Sequence, residues 1–169
     1  SYFEIMKITI IGLGLIGGSY ALSLKQRFKD LTLYGWDQNE AHNLAAKKRN
    51  IIDVSCRSLE EAFDQGDWIL LAIPVNAIES SISGMLDMLA PHQLVIDFGS
   101  TKEHICKVVE GHKKRDQFIA AHPIAGTEYS GPSAAFSTLY QDKVMTVCES
   151  EKTRSDFLSA FKVQCGVLG

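Results

Sequence analysis

His122 is the residue from which chemistry is most readily built. It stands in His122-Pro123-Ile124-Ala125-Gly126-Thr127-Glu128-Tyr129-Ser130-Gly131, directly after the apolar run Gln117-Phe118-Ile119-Ala120-Ala121. Such a run reads as a buried strand, so an imidazole is expected where a strand gives way to a polar, glycine-punctuated loop. Pro123 holds the backbone of His122 extended. Gly126 and Gly131 let the loop turn tightly, while Thr127 and Glu128 bring a hydroxyl and a carboxylate close by. Imidazole changes charge near neutral pH, and one placed in this way suits proton transfer. The plainer alternative is a histidine satisfied within the structure. Glu128 reads either as an ordinary loop carboxylate or as a gating group beside the base.

A second set of residues points to a dinucleotide. Gly12-Leu13-Gly14-Leu15-Ile16-Gly17-Gly18 follows one apolar run and opens a helical pattern. Gly12 permits the tight turn, Gly14 lets backbone approach a pyrophosphate, and Gly17 allows a helix to pack close to a strand. The helix start at Leu15 and Ile16 offers N–H groups and partial positive charge to phosphates. Asp37 follows about 20 residues past the glycines, at the end of a second apolar run. A carboxylate there accepts hydrogen bonds from a ribose diol and repels a 2′-phosphate. Asp37 also reads as a turn or cap residue, a task that Asn39 suits equally well. No Arg directly follows Asp37, so NAD is expected in preference to NADP.

Elements must carry these residues to one place. Strands are predicted at Met6–Ile11, Leu31–Trp36, weakly at Asp53–Ser55, then Trp68–Ile73, Leu94–Asp97, Phe118–Ala121 and Val144–Val147. Helices are predicted at Leu15–Phe28, Asn39–Arg49, Leu59–Phe63, Val75–Leu89, Lys102–Glu110 and Glu151–Val163. Ile78, Ile82, Met85, Leu86 and Leu89 share one face of the fourth helix. Alternation of this kind implies an α/β fold, a doubly wound and mostly parallel sheet of Rossmann type. In such a sheet ligands bind outside the carboxyl ends of the strands. Ala72 and Pro74 follow the fourth strand there, Ser100 the fifth and His122 the sixth. With the glycine loop and Asp37 they should line one crevice. Ser100-Thr101-Lys102-Glu103 also reads as a capping box. Lys102 is expected to be solvated or to face phosphate.

Bulk properties set bounds. With 169 residues the chain is about one domain with room for a sizeable core. Its 46% hydrophobic and 22% charged content suits a soluble globular protein, and its apolar runs are too short to span a bilayer. A net charge of −3 with no basic stripe argues against nucleic acid. Cys56, Cys106, Cys148 and Cys165 lack metal-ligand spacing, which favours reduced thiols in a cytoplasmic protein.

Three segments together resemble the prephenate/arogenate dehydrogenase family of tyrosine biosynthesis: the glycine loop, Asp97-Phe98-Gly99-Ser100-Thr101-Lys102, and the block from His122 to Gly131. The resemblance runs in order over essentially the whole chain, with His-Pro-Ile-Ala-Gly-Thr-Glu as its most specific part. It implies NAD-linked oxidative decarboxylation of prephenate, or use of arogenate. His122 would take the proton of the ring hydroxyl, Ser100 would orient it and contact the nicotinamide, and Thr127 and Glu128 would border the substrate. It further implies that residues 6–169 form the dinucleotide-binding domain of an enzyme whose helical second domain carries dimerisation and a substrate-binding Arg. The full-length enzyme is then expected to be a homodimer and the isolated domain a monomer of low activity. Two other readings stay open: a β-hydroxyacid-type dehydrogenase, whose catalytic Lys motif has no equivalent here, and a non-catalytic nucleotide-binding module.

Overall fold

β-branched runs alternate with helical ones, and each finds its partner in a computed structural model that describes residues 6–123, 135 and 144–168. In chain order the elements are β1 (Lys7–Ile11), α1 (Leu15–Arg27), β2 (Thr32–Trp36), α2 (Glu40–Lys48), β3 (Val54–Ser55), α3 (Leu59–Gln65) and β4 (Trp68–Leu71). Then come α4 (Val75–Asp87), β5 (Leu94–Asp97), α5 (Glu103–Val109), β6 (Phe118–Pro123), β7 (Met145–Cys148) and α6 (Ser155–Leu168). Short 3-10 turns lie at Arg115–Gln117 and Ser150–Lys152. The sheet is seven-stranded in the order β3-β2-β1-β4-β5-β6-β7. All pairs are parallel except the last, where β7 runs antiparallel to β6. The expected doubly wound, mostly parallel sheet is the observed one.

Side chains alternate across a strand, so the central strands feed two cores. Ile8, Ile10, Leu70, Ile96 and Ile119 pack with α1 and α6, meeting Tyr20, Leu24, Phe157 and Phe161. Ile11, Ile69, Leu71, Val95 and Phe118 pack with α3, α4 and α5. The apolar stripe of α4 lies in this second core, with Ile78, Ile82, Met85 and Leu86 all buried. The strand order reverses between β1 and β4. Connections leaving those two strands therefore diverge and open a crevice at their carboxyl ends.

Several element boundaries differ from expectation: β4 ends at Leu71 rather than Ile73, α3 at Gln65 rather than Phe63 and α4 at Asp87 rather than Leu89, and α6 and β6 differ for reasons visible in their contacts. A helix is predicted over Glu151–Val163, yet α6 starts at Ser155 and continues to Leu168. Thr153 is extended, its hydroxyl donates to Phe118 O at 2.7 Å, and Arg154 N–H bonds to Asp116 O at 2.9 Å. Those bonds pin the segment against the start of β6 and delay the helix. At its other end Gln164 and Leu168 are buried, and Gln164 accepts from the Tyr20 hydroxyl of α1, so packing carries α6 past Val163. β6, in turn, does not stop at Ala121. Pairing of His122 with Thr146 and of Pro123 with Met145 extends it two residues.

Candidate active site

The glycines divide into two kinds. Gly12 has φ +96°, and a Cβ there would sit 2.3 Å from Ala72 O. A Cβ on Gly17 would sit 2.1 Å from Gly12 O, so α1 approaches the β1 turn only because that side chain is missing. Gly14 is different: among the described residues nothing lies within 4 Å of its would-be Cβ. It caps α1 without any side-chain hydrogen bond, and the first turn of α1, opened by Leu15 and Ile16, contains no acid. The positive end of that helix thus meets an open space of the kind an anion fills.

Asp37, one residue past β2, faces this loop. Its Oδ2 accepts Leu13 N–H at 2.7 Å and its Oδ1 accepts Asn39 N–H at 2.8 Å. Helix α2 is capped by Asn39, whose side chain accepts Ala41 N–H at 3.0 Å. The cap role therefore falls to Asn39 and leaves Asp37 on the glycine loop. Two neighbours were missed in the sequence. His42 Nδ1 lies 3.3 Å from Asp37 Oδ2, and the Asn43 side chain bonds both the N–H and the carbonyl of Asp37, each at 2.8 Å. Their only signal was polar residues in the first turns of a helix beginning directly after a strand-end acid.

Beside this cradle lies a cleft of about 370 Å³. Its walls include Ile16, Ala72, Pro74, Phe98, Ser100 and His122, which brings five of the predicted site residues together. Gly12, Gly14, Gly17 and Asp37 stand on the same sheet edge without lining the cleft, and Leu15 turns into the core. Thr127 and Glu128 lie outside the described residues. His122 is half-buried. Its Nδ1 is enclosed and has no hydrogen-bond partner among the described residues, so Nε2 is the ring nitrogen left to the cleft. Its carbonyl accepts from Thr146 Oγ1 at 3.2 Å.

Ser100 keeps its place at the cleft but not as a cap, and Lys102 departs from its expected role. The capping box does not form: α5 begins at Glu103 behind Lys102, with no side-chain cap. Ser100 is exposed at the cleft instead. Lys102 does not face solvent either. Its Nζ lies 2.6 Å from Asp97 Oδ2 and donates to Asp97 O at 3.1 Å, with the side chains only 8% and 1% exposed. Asp97 Oδ1 also accepts Gly99 N–H at 2.7 Å. These bonds fold residues 97–102 back on themselves, which postpones the helix and turns Ser100 outward. Burial pushes the Asp97 carboxyl up, opposed by Lys102, the Gly99 N–H and His122. Burial likewise pushes the Lys102 ammonium down, opposed by Asp97. Asp97 was legible only as a carboxylate closing an apolar strand.

The four cysteines are free thiols, with burial pushing Cys56 up to about 11 and Cys165 up to about 12. Among the described residues no group of three or more His, Cys, Asp or Glu is placed to hold a metal, and no helix is long and apolar enough to cross a membrane.

Comparison with known proteins adds a family. Residues 20–164 match the family model described as prephenate dehydrogenase, nucleotide-binding domain. The chain is 34% identical over 135 residues to a cyclohexadienyl dehydrogenase of Zymomonas mobilis, covering 80% of this chain and 46% of that protein. It is 32% identical over 167 residues to a prephenate dehydrogenase of Lactococcus lactis, covering 96% and 46%. The crystal structure of prephenate dehydrogenase from A. aeolicus in complex with hydroxyphenyl propionate and NAD+ superposes with a TM-score of 0.90 at 27% identity, covering 100% of this chain and 59% of that one. The chain thus spans about half the length of the curated relatives it matches.

Proposed function

The chain belongs to the prephenate dehydrogenase nucleotide-binding domain family, and from that premise we propose that it binds NAD and serves the oxidative decarboxylation of prephenate, or of arogenate. Residues 6–169 act as its dinucleotide-binding domain. The observation that carries the reading is the juxtaposition of the open cradle at Gly14 with a cleft walled by Ser100 and His122.

The cradle fits the cofactor. Gly14 leaves room for the pyrophosphate, the uncapped start of α1 faces it, and Asp37 stands where a ribose diol would donate. A carboxylate has about four acceptor sites. The Leu13 and Asn39 N–H groups take two of them and His42 Nδ1 lies 3.3 Å from Oδ2, which leaves acceptor capacity for the diol. Ile16, Ala72 and Pro74 give the nicotinamide end an apolar wall that excludes water. Bound NAD supplies an acceptor for the hydride that leaves the ring carbon bearing the hydroxyl.

His122 handles the proton. Nε2 accepts the hydroxyl proton as that carbon becomes carbonyl-like. The bond to the ring carboxylate then breaks, CO2 departs, its electron pair makes the ring aromatic, and the proton returns to the phenolic oxygen. Ser100, on the same wall, orients substrate and imidazole by hydrogen bonding, and Thr127 and Glu128 border the substrate. The protein works in the cytoplasm, engages neither nucleic acid nor membrane, and belongs to a homodimeric enzyme.

The test is an assay of the natural polypeptide that carries this sequence. Prephenate with NAD should yield NADH, CO2 and 4-hydroxyphenylpyruvate, and His122→Asn should lower kcat by about 10²–10⁴-fold with NAD affinity nearly unchanged. Nucleotide binding without turnover, or a variant that keeps most of its turnover, contradicts the proposal.

A further inference from the structure

The buried pair Asp97–Lys102 is costly to hold. Two ions leave water, and their attraction offsets this only where geometry and further hydrogen bonds are good. Here Nζ and Oδ2 are 2.6 Å apart, Lys102 also donates to Asp97 O, and Asp97 also accepts from Gly99. The pair lies beneath His122. Asp97 on β5 is in register with Ala120 on β6. Side chains two apart on a strand share a face, so His122 projects on the same side of the sheet as Asp97, one step further toward the cleft. Phe98, Gly99 and Ser100, the residues that the pair folds back, line the same cleft as His122. Asp97 and His122 are within electrostatic reach of each other.

His122 has little else to lean on. Its Nδ1 is enclosed without a partner among the described residues. Among the described residues, the other titratable groups on the packed elements are engaged elsewhere or weakly charged. On α4, Glu79 pairs with His104 of α5, and Asp87 pairs with His112. On α5, Glu103 pairs with Lys107 at the surface, and burial keeps the Cys106 thiol protonated. β7 contributes the Cys148 thiol, and beyond it Glu149 pairs with Lys152 and Arg115.

We propose that Asp97 and Lys102 are positioning residues for His122: a charge-balanced pair, set under the imidazole, that fixes its field while holding the turn that presents Ser100. Lys102 cancels most of the Asp97 charge that the imidazole would otherwise face. Removing either partner tilts the field in opposite senses. Removing both restores the balance. The proposal deepens the reading of His122 as proton acceptor, but its test needs no substrate and stands apart from that reading.

The test is the titration of the His122 ring followed by NMR in this chain, with the amide spectrum as a check on folding. Lys102→Met should raise the His122 midpoint by about 0.5 pH unit or more, and Asp97→Asn should lower it by a similar amount. Asp97→Asn/Lys102→Met, which leaves no unpaired buried charge, should fold and return the midpoint close to that of the unchanged protein. Single substitutions that leave the midpoint unmoved, or move it in the same direction, overturn the proposal, because a merely structural role has no sign. Coupling is reciprocal. In the unchanged protein the Asp97 carboxyl carbon should therefore show an inflection at the His122 midpoint. That reading remains decisive if the single variants do not fold, and a flat Asp97 curve overturns the proposal.

Discussion

Gly14 and Gly17 sit three residues apart and do opposite things. A Cβ on Gly17 meets a backbone oxygen at 2.1 Å, whereas a Cβ on Gly14 meets nothing within 4 Å among the described residues. The fold needs Gly17 to be bare; the proposed pyrophosphate site needs Gly14 to be. Gly17→Ala should therefore cost about 3 kcal/mol in urea denaturation, since helix and turn must move apart. Gly14→Ala should cost under about 1 kcal/mol, since alanine is merely a poorer cap than glycine, yet weaken NAD binding about tenfold or more. Loss of stability at Gly14 matching that at Gly17 would make the loop a packing device alone. Residues of this kind were readable beforehand because glycine spacing reports backbone geometry directly. Asp37 was readable for the same reason, and the cap at Asn39 frees it for the loop. The Asp97–Lys102 pair was not, because nothing in its local pattern separates a buried lysine from a solvated one.

At the scale of elements, periodicity identified every strand and helix named in the fold, and the errors fell where tertiary contacts override local preference. Ser100-Thr101-Lys102-Glu103 has the pattern of a capping box, yet Lys102 turns inward to Asp97 and the box never closes. β6 reaches Pro123 because β7 pairs with it, and a long-range antiparallel neighbour leaves no mark in a local window. The late start of α6 follows from Thr153 and Arg154 bonding back to residues 118 and 116. Those anchors also make the α6 start sensitive to acid. Arg154 hydrogen bonds hold the Asp156 carboxyl below its ordinary range, and Asp156 stands in the first turn of α6, where negative charge is favoured. A depressed folded value means that the carboxylate contributes stability above its unfolded pKa and loses it as pH falls through the folded one. The pair is largely exposed, so screening keeps the effect to a few tenths of a kcal/mol. Asp156→Asn should thus lower the melting temperature slightly at pH 7 and leave it unchanged at pH 2. An equal loss at both pH values would assign the effect to packing rather than charge.

Over the whole molecule, stability and chemistry occupy opposite ends of the sheet. At the amino end of β5 and β6 a buried amide network closes the structure: Gln93 donates to Phe63 O and Gly66 O, and Gln117 to Ala90 O and Gln93 O. At the carboxyl end the glycine turn and Asp37 stand on the same sheet edge as the cleft that Ser100 and His122 line, at the reversal of strand order. The shared edge was legible beforehand, since the carboxyl ends of parallel strands must lie together, whereas a single crevice lined by all of these residues was expected and the glycine turn and Asp37 stand outside it. The central claim is that this edge is an NAD site selective through Asp37, and isothermal calorimetry of the chain with NAD and with NADP tests it most directly. The account predicts that NAD binds and that NADP binds at least about tenfold more weakly, a difference of roughly 1.4 kcal/mol, with Asp37→Ala narrowing the gap. Equal affinities for the two nucleotides, or no binding of NAD at all, would contradict it.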